Sequence, residues 1–294
     1  MTDLNKENGR LKLAIQKSGR ITDGSIELLK GSGFNFSYRD GVLYSPVNNF
    51  PMDILFIRDD DIPRYVQEGV CDLGIVGSNV VEEEEPDIEI LTPLNFGRCR
   101  ISVCVPNDSK IKSVAELNGS KIATTYPVIL SKFLQSNDLS CEVTEISGST
   151  ELTPSIGVAD AICEIISSGS TIKFHGLKEL KRIFDSEALL IGNKDSLRED
   201  RSEELIKLLL IRVKSRVLSR DKKYIAMNAP FDKVEELKKI LPGIKSPTVI
   251  PLLEKGMVAM HSVVNEQDFW DVLEDLKIAG ASGIVVSSID NIIP

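Results

Sequence analysis

Short apolar strands alternate with helical segments along most of the chain, and this alternation constrains the fold more than any other feature. Leu11 to Ile15, Met52 to Ile57 and Asp72 to Val76 are apolar runs, each followed by a polar or glycine turn and then a helical pattern. A repeated strand–helix–strand order predicts sheets with many parallel strands and helices on their faces. We therefore expect an α/β fold.

The order changes near the C-terminus. A long helical pattern from Asp200 to Ser219 is followed by predicted elements in the order β-α-β-β-α-β, within about 70 residues, which is the order of a ferredoxin-like domain. A chain of 294 residues is long enough for two or three domains. The sequence therefore predicts an α/β body with a smaller domain appended to it.

A loop of small residues between Ile146 and Thr171 is the strongest candidate site. Its first half contains turn-forming residues from Gly148 to Gly157, and its second half has the apolar spacing of a short amphipathic helix that begins near Asp160. Free N–H groups and the helix dipole favour an anion at such a junction. We therefore predict that a phosphate binds there.

Two acids of this loop, Glu151 and Asp160, admit two interpretations. The dipole alone favours a carboxylate in the first turn of a helix, so Asp160 needs no function. Alternatively, both acids face a bound ligand, since carboxylates suit Mg²⁺ and sugar hydroxyls. Phosphate, hydroxyls and Mg²⁺ together indicate a phosphorylated sugar. The loop matches neither a Walker P-loop nor a dinucleotide fingerprint.

Cations lie at the ends of several predicted strands, although the chain as a whole is acidic, with a net charge of −9. Such a net charge disfavours binding to nucleic acid. Open α/β sheets bind ligands at the carboxyl edge of their strands, so these cations predict a polyanionic ligand. Ordinary solvated turns are the alternative. The cations are Lys17, Arg20, Arg58, Arg98 and Arg100.

Several classes of protein are excluded by what the sequence lacks. Its five cysteines form no C-x-x-C pair, and neither histidine lies near two cysteines, so a zinc site is not expected. Three aspartates after Arg58 resemble a metal site, but helix capping accounts for at least one. The polar N-terminus has no signal-peptide pattern, and no apolar run is long enough to span a membrane. We expect a cytoplasmic protein with reduced thiols.

Several motifs, taken in order, resemble those of the ATP phosphoribosyltransferases, the first enzymes of histidine biosynthesis. The C-terminal segments KSPTVIPL and GMVAMHSVV resemble the regulatory domain of the long-form enzymes. The resemblance covers essentially the whole chain, and the ordered set is more specific than any single motif. The other motifs are QKSGR, RDDDIP, DLGIVG, FGRCR, KIATTYP and GSTELTPSIGVADAICEIISSG.

The resemblance implies a bilobal catalytic part similar to a type II periplasmic-binding-protein fold, followed by a ferredoxin-like βαββαβ domain. Residues 1–107 and 190–219 would form catalytic lobe I. Residues 108–189 would form catalytic lobe II with the phosphoribosyl-binding loop, and residues 220–294 the regulatory histidine-binding domain. The active site would lie in the cleft between the lobes.

The implied reaction transfers the phosphoribosyl group of phosphoribosyl diphosphate to N1 of ATP and releases Mg²⁺-bound diphosphate. Asp160 and Glu151 would be catalytic, because carboxylates favour the positive charge that develops on the ribose ring. No general base is identified, so the chemistry would rest on positioning and charge neutralisation. Tyr126 would contact adenine, although a plain surface tyrosine is the alternative. The implied substrate-binding residues are Lys17, Arg20, Arg58, Asp72, Arg98, Arg100, Tyr126, Thr153, Ser155, Gly157, Val158, Ala159 and Ala161.

The resemblance also implies feedback inhibition by histidine and assembly into a homo-oligomer, an active dimer and an inhibited hexamer. The effector residues would be Asn228, Thr248, Val263 and Gly283. In several relatives an acid occupies the place of Asn228, and asparagine keeps the hydrogen-bond acceptor but not the ion pair. His261 is interpreted as structural. The alternative function is a noncatalytic bilobal small-molecule-binding or amino-acid-sensing protein.

Overall fold

This computed structural model describes residues 9–39, 41–167, 169–241, 243 and 245–293, with the backbone alone at Arg201. Most of the segment used to assess a signal peptide, and Pro242, which was expected to end a helix, lie outside the described residues. The chain divides into two compact units. The first contains the residues up to Lys30 and Phe34–Lys207, and the second contains Gly31–Gly33 and Leu208–Pro294. The second unit thus begins inside a helix rather than at the predicted residue 220.

The first unit contains two sheets. Its helices are α1 (Thr22–Gly31), α2 (Ile62–Gln67), α3 (Ser78–Glu84), α4 (Pro127–Ser136) and α5 (Ser170–Phe174), and α6 (Asp200–Ser219) leads into the second unit. Its strands are β1 (Leu11–Gln16), β2 (Tyr44–Pro46), β3 (Met52–Ile57), β4 (Leu73–Gly77), β5 (Glu89–Pro93), β6 (Cys99–Pro106), β7 (Lys121–Thr124), β8 (Glu142–Glu145), β9 (Ala161–Ile166), β10 (Leu177–Ser186) and β11 (Ala188–Gly192).

The first sheet has the order β2-β3-β1-β4-β11-β5, with β1 parallel to both β3 and β4. These three strands are mostly apolar because both of their faces are covered, as in parallel sheets generally. Leu13, Ala14 and Ile15 are fully buried. The predicted bounds of β3 and the predicted parallel pairing are confirmed.

The second sheet has the order β10-β6-β9-β7-β8, and β6 lies in its interior. The chain therefore crosses between the sheets in residues 94–98, earlier than the predicted crossing near Asn107. Ile101, Val103 and Val105 explain the difference, because these alternate residues of β6 belong to the core packed beneath α4. The chain returns to the first sheet between β10 and β11.

Residues Ala161–Ile166 form a strand, β9, and not the predicted amphipathic helix. β9 pairs antiparallel with β6 and parallel with β7. Ala161, Ile162 and Cys163 are successive and all fully buried, which a central strand accommodates on its two faces. A six-residue apolar run cannot be assigned by periodicity alone. The loop before it therefore has no helix start at its end.

The second unit has the predicted β-α-β-β-α-β order. Its elements are β12 (Lys222–Pro230), α7 (Val234–Ile240), β13 (Thr248–Pro251), β14 (Met257–Asn265), α8 (Glu266–Ile278) and β15 (Ser282–Ser288). The antiparallel sheet has the order β13-β14-β12-β15, which is ferredoxin-like. Ile225, Met260, Phe269 and Leu276 are buried between the sheet and the two helices. Among the described residues, no helix has the length and apolar character needed to cross a membrane.

Candidate active site and effector face

Three predicted cations meet at the carboxyl edge of the first sheet. Lys17 follows β1 and Arg58 follows β3, and the N–H of Lys17 donates to the carbonyl of Ile57 at 2.8 Å, so the two strand ends are adjacent. Arg20 is exposed. A Cβ added at Gly77 or at Gly97 would lie 3.3 Å from a guanidinium nitrogen of Arg20, so this side chain reaches from the end of β1 to the end of β4.

Arg98 lies beside this group in the loop that joins the two sheets, and its side chain is exposed. Gly97, its neighbour, has φ +63°, and a Cβ there would come within 2.6 Å of Ile21. Glycine therefore lets the loop approach the turn after β1. The structure brings together Lys17, Arg20, Arg58 and Arg98, as the sequence predicted.

Arg100 differs from the other four cations. Its guanidinium donates two hydrogen bonds, of 2.8 and 2.7 Å, to the carboxylate of Glu179 on β10. Ser102 donates to the same carboxylate at 2.8 Å, and these bonds, that of Arg100 above all, lower the pKa of Glu179. A bidentate pair of this kind is a strong structural contact. Arg100 is therefore engaged within the second sheet and is not available to a polyanionic ligand.

Asp72 lies at the opposite, amino edge of the first sheet. It precedes β4 and is 5% exposed. One carboxylate oxygen accepts a hydrogen bond from the N–H of Lys12 at 2.7 Å, and the other accepts from the hydroxyl of Ser196 at 2.6 Å. Both oxygens are used to join β1, β4 and the turn before α6. Asp72 was expected to bind substrate, but the structure places it away from the cations at the carboxyl edge.

The small-residue loop after β8 is held by its own hydrogen bonds. Thr153 is buried, and its carbonyl accepts from the N–H groups of Val158, at 2.9 Å, and Ala159. The N–H groups of Ile156, Gly157 and Asp160 also donate to carbonyl groups of the protein. In this conformation the N–H groups of residues 156–160, which are most of the predicted phosphate cradle between Ser155 and Ala161, are thus bonded within the protein. The Ser155 hydroxyl likewise donates to the carbonyl of Leu152 at 2.7 Å.

Asp160 lies at the amino edge of the second sheet. Its carboxylate accepts a hydrogen bond from the N–H of Lys121 at 2.8 Å, and its own N–H donates to the carbonyl of Lys121 at 2.8 Å. These bonds align the starts of β7 and β9. Glu164 lies four residues further along the extended strand, roughly 13 Å away. The structure therefore separates Asp160 from the carboxyl edge.

Glu164 is the acid at the carboxyl edge of the second sheet, and the sequence analysis missed it. Thr125, at the end of β7, has its hydroxyl 3.2 Å from each carboxylate oxygen of Glu164, and the N–H of Ile165 donates at 2.8 Å. Burial is the main cause that raises the pKa of Glu164, and the charge of Glu151 raises it further. These partners are neutral, so within the described part of the chain the carboxylate has no counter-ion of the kind that a buried charge normally requires.

Glu151 lies near Glu164, as its effect on the pKa of that residue shows. One carboxylate oxygen of Glu151 is 3.9 Å from Nε2 of His175. The acid that joins Glu151 at the carboxyl edge is thus Glu164 rather than Asp160. An acid inside the buried run Ala161–Ile166 was the available signal, but the assumed helix placed it on a solvent face.

Tyr126 lies between the two sheets, directly before α4. It is half-buried. Burial raises the pKa of its phenol, and the charges of Glu164, Cys99 and Asp59 act in the same direction. Asp59 follows β3 of the first sheet, whereas Glu164 belongs to the second. Tyr126 is therefore within electrostatic reach of both sheets, and we call the space between their carboxyl edges the cleft.

The predicted effector residues lie on the helix-free face of the sheet in the second unit. Thr248 pairs with His261, and Val263 pairs with Tyr224, in the antiparallel registers. A cavity of about 410 Å³ on this face includes Thr248 and Val263. Asn228 and Gly283 do not line it but lie against each other, since a Cβ on Gly283 would be 3.3 Å from the amide nitrogen of Asn228. The cavity is lined by Tyr224, Lys245, Ser246, Thr248, Ile250, His261, Ser262, Val263 and Ile292.

His261 lines this cavity and is not a core residue. Its Nδ1 is 2.6 Å from the hydroxyl of Tyr224, and the two rings lie 5.7 Å apart. The alternation along β14 places His261 on the face opposite to the buried Val258 and Met260. This alternation was visible in the sequence, and the contact with Tyr224 is compatible with the interpretation of His261 as structural.

Comparisons with known proteins agree with this architecture. Residues 58–215 match the family model described as ATP phosphoribosyltransferase, and residues 219–291 match HisG, C-terminal domain. The chain is 46% identical over 283 residues to ATP phosphoribosyltransferase of Cytophaga hutchinsonii, covering 96% of this chain and 98% of that protein. It is 45% identical to the same enzyme of Bacteroides thetaiotaomicron, with coverages of 96% and 99%.

A solved structure supports the same family at lower sequence identity. It is titled ATP phosphoribosyl transferase (HisG:HisZ) complex from Thermotoga maritima, and it superposes with a TM-score of 0.60 at 27% identity. The match covers 72% of this chain and 100% of that chain. The first family model alone spans more than half of the sequence. This chain therefore belongs to the ATP phosphoribosyltransferase family, the enzymes of the first step of histidine biosynthesis.

Proposed function

We propose that the cleft of the first unit binds phosphoribosyl diphosphate and ATP and transfers the phosphoribosyl group to N1 of the adenine. One observation carries this assignment to the cleft. A set of exposed cations at the carboxyl edge of the first sheet lies opposite two acids, Glu151 and Glu164, at the carboxyl edge of the second. Cations bind phosphates, and carboxylates bind sugar hydroxyls, so the two edges match the two ends of a sugar diphosphate.

The cations hold the phosphate chains. Lys17, Arg20, Arg58 and Arg98 are all exposed. Arginine presents a rigid fork that suits phosphate oxygens, and lysine adds a mobile positive charge. These side chains orient the diphosphate away from the ribose, in the line along which it leaves. Arg100 and Asp72 take no part, because each is bonded within its own sheet.

The carboxylates act on the sugar. The lone pair of adenine N1 forms a bond to the anomeric carbon, while the bond from that carbon to the diphosphate oxygen breaks and its electron pair leaves with the diphosphate. Positive charge develops on the ribose ring during this exchange. In its ionised form Glu164 stabilises that charge and accepts hydrogen bonds from ribose hydroxyls, and Glu151 supports it. Tyr126 contacts the adenine from the side of α4.

The 5′-phosphate binds at the loop from Gly148 to Gly157 in this proposal. Its N–H groups are bonded inside the loop in the present conformation. Binding therefore exchanges those carbonyl partners for phosphate oxygens, which are stronger acceptors because they are charged. Gly157, with φ +73° and no neighbour near its Cβ position, permits this close approach.

Glu151 and Glu164 would be the protein ligands of a Mg²⁺ ion that is bound to the diphosphate. Among the described residues no group of three or more His, Cys, Asp or Glu is arranged to hold a metal. Mg²⁺ that is bound to substrate phosphates needs only one or two protein carboxylates, and the pair Glu151 and Glu164 fits that need. When bound, the ion neutralises charge on the departing diphosphate.

Regulation belongs to the second unit. We propose that histidine binds the helix-free face at Asn228, Thr248, Val263 and Gly283, with Tyr224 and His261 as further contacts. The enzyme is a homo-oligomer in this proposal, a dimer when active and a hexamer when inhibited, and it works in the cytoplasm, where ATP is available.

Thermal stabilisation by ligands tests the binding assignment. Phosphoribosyl diphosphate with Mg²⁺, at about 100 times its Kd, stabilises the folded state by about 2.7 kcal/mol. The Arg20→Ala variant loses most of this shift, whereas Arg64→Ala keeps it, because Arg64 is paired with Glu68 on the surface of α2. A shift with histidine and none with the sugar phosphate would instead support the amino-acid-sensing alternative.

A further inference from the structure

The N-terminus of α4, which follows β7 of the second sheet, is capped by a residue on the side of the first sheet. The N–H of Val128 donates to one carboxylate oxygen of Glu83 at 2.8 Å, and the N–H of Ile129 donates to the other at 3.0 Å. Glu83 belongs to α3, which follows β4 of the first sheet. The residue at the cap position, Tyr126, makes no side-chain cap of its own.

Two hydroxyl groups that could cap α4, those of Thr124 and Thr125, lie directly before the helix but bond to other groups. The hydroxyl of Thr124 donates to the carbonyl of Cys163 at 2.7 Å and accepts from the N–H of Tyr126 at 2.8 Å. The hydroxyl of Thr125 contacts Glu164. These partners fix the positions of both hydroxyls, and neither accepts a hydrogen bond from Val128 or Ile129 in the first turn of α4, whose N–H groups need an acceptor. The cap therefore comes from across the cleft.

A second contact joins the same two helices. Lys132, one turn further along α4, lies 2.5 Å from Glu82 and 2.7 Å from Glu85. Exposed ion pairs of this kind contribute little by themselves. They do fix the direction in which α4 lies against α3, so that Glu83 faces the two N–H groups. Separation of α3 from α4 would leave those N–H groups without their partner.

We propose that Glu83 is a positioning residue for the nucleotide substrate: by capping α4 from the opposite side of the cleft, it holds Thr125 and Tyr126 where the adenine binds. This inference rests on the proposed function of the cleft. α3 begins at the edge that carries the cations, and α4 begins directly after Tyr126. The cap thus sets the distance between the phosphate-binding edge and the base-binding residue.

Affinity measurements on the full chain test the proposal without requiring turnover. Loss of a helix cap predicts that Glu83→Ala raises the Kd for ATP about tenfold, while the Kd for phosphoribosyl diphosphate changes less than about twofold. Glu83→Gln, which retains one acceptor oxygen, gives an intermediate value. Glu84→Gln is the control, because Glu84 is the exposed neighbour on the same helix and keeps wild-type affinities.

Amide hydrogen exchange of residues 127–136 provides the second readout. The first turn of α4 exchanges about tenfold faster in Glu83→Ala than in the wild type, and ATP restores part of the protection. Faster exchange with unchanged ATP affinity would reduce Glu83 to a structural cap and overturn the proposal. Unchanged exchange would overturn the cap itself. An equal loss of affinity for both substrates would indicate general damage to the cleft, and would also contradict it. A wild-type protein that binds ATP but transfers no phosphoribosyl group would contradict the proposed function. The affinity and exchange measurements would still test the role of Glu83, because neither requires turnover.

Discussion

Replacement of Glu164 by glutamine should make the protein more stable and less active. Burial and the nearby negative charge of Glu151 raise the pKa of this carboxylate, although hydrogen bonds from neutral partners oppose the shift. A glutamine of nearly the same shape still accepts a hydrogen bond from the N–H of Ile165. It removes the charge, which is costly in the folded protein and useful in the reaction.

The sign of the stability effect follows from proton linkage. Because the folded protein holds the proton on Glu164 more strongly than the unfolded chain does, the free energy of unfolding falls as the pH rises from the ordinary carboxyl pKa to the raised one. Each unit of such a shift corresponds to about 1.4 kcal/mol, or about 3–5 °C of Tm in a domain of roughly 200 residues. The variant escapes this loss, so its advantage in Tm grows through that range and stays constant at higher pH.

The effect on activity has the opposite sign and is larger. Removal of one preorganised electrostatic group costs about 2.7–4 kcal/mol of transition-state stabilisation, which lowers kcat by about 10²–10³. Steady-state kinetics and thermal unfolding of the same preparations give both numbers. Glu145→Gln is the matched control, since Glu145 is exposed at the end of β8 and should change neither. Asp160→Asn separates the two acids, because its remaining oxygen still accepts from Lys121 and kcat should stay within about twofold of wild type.

Two results would refute this reasoning. A Glu164→Gln variant with normal kcat would remove Glu164 from the chemistry. A variant that loses stability at neutral pH would show that the carboxylate has a favourable partner in the folded protein, contrary to the neutral contacts seen here.

Two further variants test the remaining assignments. Asp72→Ala removes the acceptor of the Lys12 N–H and of the Ser196 hydroxyl, so urea unfolding should show a loss of about 1–3 kcal/mol per lost hydrogen bond while both KM values stay unchanged. A raised KM with normal stability would instead show that Asp72 contacts substrate. Tyr224→Phe removes the hydroxyl bonded to His261 and should raise the histidine concentration for half-inhibition about threefold to tenfold. Equal inhibition of the variant and the wild type would show that histidine binds away from this cavity.

The sequence predicted most elements of the fold because their patterns are local. β3 is a mostly apolar run between a proline and a charged turn, and the structure gives it the predicted bounds, Met52–Ile57. β7 and α6 also have the predicted bounds, Lys121–Thr124 and Asp200–Ser219. In each case the composition of the segment itself decides between strand and helix.

The failures have a common cause, which is that they depend on neighbours distant in the chain. Ala161–Ile166 became a strand because β6 and β7 flank it, and this change moved the important acid from Asp160 to Glu164. Arg100 was grouped with the other cations because the sequence does not show that Glu179, on β10, lies beside it. Glu83 caps α4 through residues that are 45 and 46 positions away from it in the chain, and hydrophobic periodicity cannot predict such a contact.

Turnover with ATP, phosphoribosyl diphosphate and Mg²⁺, followed by the ultraviolet absorbance of the N1-substituted adenine, with and without histidine, tests the central claim most directly. We predict product formation that requires both substrates and that histidine suppresses. Absence of product in a protein that still binds its ligands would contradict the account and favour a noncatalytic binding protein. Product formation that histidine does not affect would keep the active-site cleft and contradict the effector face.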